Sequence, residues 1–234
     1  MEVFMEAFQK FWAGLAGQAA YLGKLGVNML PGLQYTVGLF LVTVVLSIPL
    51  GMGLALLRNS RVGVLRGLTG FYVWLMRGTP LLLQLFFFYY GLTFLPVIGP
   101  YLVMGRFQAA CVTFVLNYAA YFCEIFRGGI LSVEKGQYEA AQVLGFTKWQ
   151  TSLKIVFPQM LKVSLPSVSN ECITLVKDTA LITAIGVTEI IYFAKSAVNR
   201  DVNVSAYVIA AILYLVMTYG LTKLFNWLEK KFRY

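Results

Sequence analysis

Seven side chains that could take part in chemistry stand in otherwise apolar surroundings: Thr79, Gln84, Asn117, Glu124, Asn170, Glu171 and Asp178. Together they offer hydroxyl, amide and carboxylate groups, a set that can donate and accept hydrogen bonds and attract a cation. That is the chemistry of reversible binding. Bond-breaking chemistry finds no comparable support, because only scattered Glu and Asp stand where a convergent nucleophile and base would be needed. The chain has no histidine, and no G-x-x-x-x-G-K-[ST], H-E-x-x-H or G-x-S-x-G pattern, so the common triads, zinc hydrolysis and this route to nucleotide phosphates are excluded. Cys111, Cys123 and Cys172 lie in apolar segments without C-x-x-C spacing and read as small buried hydrophobes. Neither a metal nor a cofactor is expected in this chain.

The elements that must position these residues are membrane spans. Of 234 residues, 59% are hydrophobic and 12% charged, against about 25% charged in an ordinary soluble domain. The net charge of +9 gathers beside apolar runs, which suits a cytoplasmic membrane surface and membrane lipid, and gives no reason to expect nucleic acid. A span takes about 20 apolar residues. Leu33 to Leu57 supplies the first, with Pro49 as a site for a kink, and Arg58, Arg61 and Arg66 follow at once. Gly67 to Leu95 supplies the second, interrupted at Arg77-Gly78-Thr79-Pro80. Pro80 suits the first turn of a new helix and Thr79 its cap. Gly67 to Met76 is then expected along or into the cytoplasmic interface. Two roles stay open for Arg77, an interfacial anchor or part of a path.

Pro96 to Pro100 forms the expected external turn. Phe107 to Phe122 is uncharged and forms the third span, which closes at Glu124, three residues before Arg127. An ion pair at the helix end and a place facing a pathway both fit Glu124. The fourth span, Val163 to Val187, is the least visible, because Asn170, Glu171, Lys177 and Asp178 interrupt it. Charges at membrane depth are costly unless paired or facing water. A satisfied polar network between helices and a path for a polar solute both fit them. Thr188 to Val204 is expected outside, with a short helix within Glu189 to Val198, and Ser205 to Thr222 is the fifth span. Lys223, Lys230, Lys231 and Arg233 then form a last basic cluster. Placing every basic cluster inside puts the amino terminus outside and the carboxyl terminus in the cytoplasm.

The expected fold class is therefore all-α, a polytopic membrane helical bundle of five transmembrane helices with a cytoplasmic loop between the third and fourth. Residues 1–28 read as a separate N-terminal segment and residues 29–234 as the membrane domain. In the first segment Phe4, Phe8, Phe11, Trp12 and Leu15 recur at helical spacing, with Glu2, Glu6, Gln9 and Lys10 at other positions. An amphipathic helix at the interface and a surface helix packed on the bundle both fit.

The loop, residues 128–158, contains Glu139-Ala140-Ala141, then after three residues Gly145, after nine more Ile155, and after two more Pro158. Glu139 to Phe146 can make about two helical turns, and Gly145 lacks the side chain that would hold a partner's backbone away. An ordinary loop helix and a docking element both fit this spacing. The pattern resembles the EAA loop of bacterial ATP-binding-cassette importer permeases, with Phe157 where Leu is usual. Arg77 to Leu92, Asn117 to Ala141 and Lys177 to Ile190 resemble the amino-acid branch of that family, and the likeness extends over roughly Leu30 to Arg233.

The resemblance implies a membrane permease subunit of the bacterial inner membrane. Its coupling helix around Glu139, Ala140, Ala141 and Gly145, with Ile155 and Pro158 completing the pattern, would dock in a groove of an ATPase. It further implies a second permease subunit, identical or homologous, two ATP-binding-cassette ATPase subunits that hold ATP and Mg2+, and a soluble amino-acid-binding protein. The seven residues named first would then meet an amino acid, whose carboxylate needs donors and whose ammonium needs acceptors. Their surplus of acids suits a polar or basic amino acid, and Lys177 weighs against that preference. An ion-coupled secondary transporter is the alternative. It needs no dock and often shows inverted repeats, into which five spans do not divide evenly.

Overall fold

The uncharged stretch Leu25 to Leu57 folds, in the computed structural model, as part of one helix, α1 (Glu2–Arg58), of 57 residues. The model describes the backbone of residues 2–97 and 99–232, and the side chains from residue 5 onward except 7–9 and 11. The side chains of the expected pattern, Phe4, Phe8 and Phe11 with Glu2 and Gln9, and the whole of Ile98 and Arg233, lie outside what is described. At 1.5 Å per residue α1 is about 85 Å long, nearly three times the roughly 30 Å of a bilayer's hydrocarbon. It passes residue 28 without a turn and carries Pro31 and Pro49 inside it, as membrane helices do where neighbouring helices satisfy the freed carbonyls.

The second span is broken where expected. Helix α2 (Gly63–Gly78) ends, and α3 (Leu81–Phe86) begins after Thr79 and Pro80, both extended, with Thr79 at φ −115° and ψ 144°. The proline ring excludes the helical conformation from the residue before it, so the chain cannot continue straight. α3 runs on through a π-turn (Phe87–Gly91) and a 3-10 turn (Leu92–Phe94), and this second part leaves α2 at 105°. Thr79 does not cap α3 as expected. Its hydroxyl donates back to the Leu75 carbonyl at 2.9 Å, so it closes α2 behind it, and Pro80 opens α3 without a side-chain cap.

Helix α4 (Arg106–Leu131) is the axis of the bundle. It packs on α1, α2, α3 and α7 (Phe157–Asp178), and Phe114, Tyr118, Phe122 and Cys123 along it are fully buried. α1 crosses it at Gly51. A Cβ there would stand 2.6 Å from the Phe122 Cβ and 2.9 Å from the Ala119 carbonyl oxygen. The missing side chain is what lets the two backbones approach, a usual solution where helices cross in lipid.

After α4 come two short helices, α5 (Lys135–Val143) and α6 (Lys148–Thr151). α6 continues through a π-turn (Ser152–Val156) into α7 and a 3-10 segment (Thr179–Ile185), making one helical rod from Lys148 to Ile185. The π-turn directly precedes Phe157 and Pro158, and proline has no N–H to give to an ordinary helical turn. α8 (Ile190–Asp201) turns away at 56°, and α9 (Ser205–Phe232) closes the chain. The buried Glu189 carboxylate accepts from the Tyr192 N–H at 2.8 Å, from the Tyr214 hydroxyl at 2.9 Å, and from the Thr183 hydroxyl. It thereby caps α8 and ties it to α9.

Among the described residues, three helices are long and apolar enough to cross a membrane, or up to five when each bent pair counts as one span. With no strand among the described residues, the chain is an all-α polytopic membrane bundle. The Gly51 crossing gives a direct check. Gly51→Val should destabilise the bundle by about 1–3 kcal/mol, the usual cost of overpacking, and lower the thermal midpoint of the protein purified in nanodiscs. A midpoint equal to that of the parent would show that the crossing is not tightly packed.

Candidate functional site

The broken helix opens a cavity. Its volume is 490 Å³, and its walls are Arg77 to Leu81 at the break, Asn117, Tyr118 and Tyr121 on α4, and Glu171, Thr174 and Asp178 on α7. Each wall follows from local structure. The break exposes backbone and brings in Arg77 and Thr79. On α4, the neighbours Asn117 and Tyr118 lie four and three residues before Tyr121, one turn away, and Glu171, Thr174 and Asp178 share a face of α7.

The polar groups around it divide into those already engaged and those left open. Gln84 Nε2 donates to the Met76 carbonyl at 2.8 Å, the Thr79 carbonyl at 3.1 Å and the Thr79 hydroxyl at 2.7 Å. Asn117 Nδ2 donates to the same Met76 carbonyl at 3.1 Å and to Gln84 Oε1 at 3.0 Å. These two amides hold the ends of the break together. The Tyr118 hydroxyl donates to Asp178 Oδ2 at 2.7 Å, which joins α4 to α7. Arg77 lies over the Tyr121 ring, 5.3 Å from its centre, a favourable cation–π placement. Glu171 lines the cavity half-buried. Among the described residues no group of three or more His, Cys, Asp or Glu could hold a metal ion. What the cavity can do is receive a polar solute between an arginine and two carboxylates.

Of the seven residues named from sequence, Thr79, Asn117, Glu171 and Asp178 line this cavity. Gln84 is buried behind it, Asn170 is exposed on α7, and neither it nor Glu124 is among the lining residues. Glu124 instead binds arginines. Arg127 reaches it at 2.8 Å, Arg58 at 3.1 Å and Arg77 at 3.9 Å. Tyr118, Tyr121 and Thr174 are lining residues not named from sequence. Their spacing from Asn117 and Glu171 along a helix face was the available signal.

The loop forms a second surface. α5 ends in a Schellman motif: the Phe146 N–H donates to the Ala141 carbonyl at 3.0 Å and the Gly145 N–H to the Gln142 carbonyl at 3.1 Å. Gly145 adopts φ +76°, and nothing lies within 4 Å of where its Cβ would be. Glycine is therefore required here by the backbone's left-handed turn, a reason that sequence spacing alone does not give. Thr147 caps α6, accepting from the Gln150 N–H at 3.3 Å while Gln150 Oε1 accepts from the Thr147 N–H at 2.8 Å, a reciprocal capping box. Ala141 is buried and Ile155 half-buried, whereas Glu139, Ala140, Gly145 and Pro158 are exposed. Around them Val143, Leu144 and Trp149 are 86%, 73% and 71% exposed. These are large apolar side chains held away from the rest of the fold.

Residues 47–234 match the family described as "Binding-protein-dependent transport system inner membrane component". The chain is 37% identical over 216 residues to the octopine transport system permease protein OccM of Rhizobium radiobacter, covering 90% of this chain and 88% of that one. It is 35% identical over 225 residues to the L-cystine transport system permease protein TcyB of Bacillus subtilis (strain 168), covering 95% and 88%. A chain of the solved structure "Crystal structure of an amino acid ABC transporter with histidines" superposes with a TM-score of 0.82 at 30% identity, over 91% of this chain and 97% of that chain.

The left-handed turn at Gly145 makes its own prediction. Forcing an L-residue into this conformation costs roughly 1–2 kcal/mol, so Gly145→Ala should speed local opening by about 5- to 30-fold. Hydrogen exchange at the Phe146 amide would read it directly. Gly145→Asn, which tolerates the left-handed region, should exchange more slowly than Gly145→Ala. Equal rates in all three proteins would remove the conformational reason for this glycine.

Proposed function

The chain belongs to the binding-protein-dependent transport system inner membrane components, the permease subunits of ATP-binding-cassette importers, and on that premise we propose that its cavity passes polar or basic amino acids. It is a multi-pass inner-membrane permease and not itself the ATPase. Family membership takes the place of the ion-coupled alternative. The observation that carries the substrate class is the charge pattern of one open space, with Arg77 on one wall and Glu171 and Asp178 on another. The guanidinium can take the carboxylate end of an amino acid, and the acids can take its ammonium and a cationic side chain. The relatives named for octopine and L-cystine and the solved amino-acid transporter support the same class.

In this reading Thr79, Asn117, Glu171 and Asp178 form the path, with Gln84 fixing the break that shapes it. Asn170 and Glu124 stand outside its lining and act on it at a distance. Glu139, Ala140 and Gly145, together with the exposed Val143, Leu144 and Trp149, form the face that docks on the ATPase. Ala141 and Ile155 hold that face to the bundle, and Pro158 sets the exit into α7. Two permease subunits, identical or homologous, two ATPase subunits that bind ATP and Mg2+, and a soluble amino-acid-binding protein complete the importer. Residues 29–234 make the transport domain of five spans, and residues 1–28 an N-terminal segment outside, with the carboxyl terminus in the cytoplasm. Nucleotide binding moves the docked loops, and the bundle alternates between outward and inward openings.

Two measurements test this reading. Glu171→Gln keeps the shape and removes the charge. Losing a hydrogen bond to a charged group costs about 1.5–3 kcal/mol, so uptake of L-arginine by the reconstituted importer should fall by about 10- to 100-fold, with assembly intact. Unchanged uptake and unchanged preference would take Glu171 out of the path. For orientation, single cysteines at Gly99 and Lys230, in a chain whose native cysteines are replaced, should react with an impermeant maleimide from opposite sides of sealed vesicles. Labelling from the same side would contradict the topology.

A further inference from the structure

Glu124 gathers guanidinium groups from three helices. Arg127, on its own helix, approaches at 2.8 Å from Nη2 and 3.2 Å from Nε. Arg58, from the end of α1, stands at 3.1 Å, and Arg77, from the end of α2, at 3.9 Å. Three cations thus share one carboxylate, and the Nη1 atom of Arg58 is buried without a hydrogen-bond partner. The contact with Arg77 is the longest of the three, and Arg77 is the most exposed side chain, 43% against 26% and 30%. Arg77 is also the one that lines the cavity, in company with Glu171 and Asp178. The Tyr121 ring lies beneath its guanidinium, which is 5.3 Å from the ring centre. The side chain is therefore drawn one way by Glu124 and the other way by the acids of α7.

We propose that Glu124 is a positioning residue that holds Arg77 at the edge of the cavity, off Glu171 and Asp178, and so keeps that acidic wall available to a cationic solute. The inference rests on the reading of the cavity as the substrate path. Arg58 and Arg127 limit the hold. They share the Glu124 carboxylate with Arg77, so the third guanidinium stays loosely bound and able to turn toward a carboxylate that enters. Without the Glu124 charge, Arg77 is repelled by Arg58 and Arg127, keeps its contact with the Tyr121 ring, and finds its only opposite charges in the cavity acids. It then closes an internal ion pair across the space, and a cationic solute must compete with it.

The charge of the cavity can be read without transport. The chain, with Cys111, Cys123 and Cys172 replaced by alanine and Thr174→Cys introduced in the cavity wall, is placed in nanodiscs. Its labelling rates with a trimethylammonium-ethyl and a sulfonato-ethyl methanethiosulfonate are compared. Glu124→Gln should lower the ratio of cationic to anionic rate at least fivefold. Adding Arg77→Gln should restore the ratio to the parental value or above, and Glu124→Asp should stay within about twofold of the parent, since the charge remains. A ratio unchanged by Glu124→Gln, or one that falls and is not restored by Arg77→Gln, would overturn the proposal, since a merely structural Glu124 would be damaged further by a second substitution. In the reconstituted importer, Glu124→Gln should reduce L-arginine uptake more than L-glutamine uptake, and equal losses would count against the proposal. Failure of the parent importer to take up either amino acid would count against the substrate reading instead, and the labelling ratio would still decide the role of Glu124.

Discussion

A helix cannot simply stop inside a bilayer. Its last carbonyls lose their partners, and hydrocarbon offers no water to replace them. The break at Gly78 to Pro80 meets this constraint with two amide side chains. Gln84 reaches back from the next helix to the Met76 and Thr79 carbonyls, and Asn117 reaches in from α4 to Met76. Each amide also bonds the other, Asn117 Nδ2 to Gln84 Oε1, so the break is closed by a small, mutually satisfied network. Once Asn117 is fixed in that role, Tyr118 and Tyr121 on the same stretch of α4 must face the opening beside it. The near right angle between α2 and α3 and the cavity at their junction are two results of one arrangement.

The same accounting separates residues that hold the structure from residues left to act. Gln84 has committed its amide nitrogen, and Glu189 is buried with three donors to its carboxylate. A buried carboxylate needs such donors, and here they come from three elements, which fixes α8 against the bundle. Asp178 is tied by Tyr118 but still reaches the cavity, and Glu171 reaches it from one face of the same helix. The residues with unfinished chemistry are thus concentrated on one stretch of α7, opposite the exposed backbone of the break. In the proposed function, a polar solute bound there would complete contacts that the fold leaves incomplete.

Much of this was legible in the residues. Proline after a basic-glycine pair predicted the break, basic clusters predicted where spans end, and the short helix after Glu189 was expected within a few residues of its observed bounds. Thr79, Asn117, Glu171 and Asp178 could be picked out because polar groups are rare in apolar segments. What could not be read was which partner each would find. Gln84 and Asn117 have the same amide as a binding residue, and only the position of the Met76 carbonyl reveals that they serve the backbone. Glu124 left an ion pair and a path both open, and the choice depended on Arg58, which is far away in sequence and was read only as a charge at a span's end. Thr79 fits a cap by type, but the proline beside it sets its backbone so that its hydroxyl turns back to Leu75. Size is what spacing suggests for Gly145, whereas its φ of +76° is the property that favours glycine there over most other residues.

The rod from Lys148 to Ile185 joins the loop surface to the cavity wall without an intervening hinge of extended chain. From Lys148 to Asp178 its axis covers about 45 Å at 1.5 Å per residue, the reach a mechanical arm would need. A few degrees of tilt at the α6 end becomes a displacement of a few ångströms at Glu171 and Asp178, with no change in the hydrogen bonds along the way. The π-turn at Ser152–Val156 is the one wide turn in that arm and lies close to the end where force would be applied. Pro166, inside α7, is a second interruption of the helical hydrogen bonds, and both lie on the loop side of the carboxylates. Work done on the loop would then arrive at the cavity as movement of a charged wall past a fixed helix break.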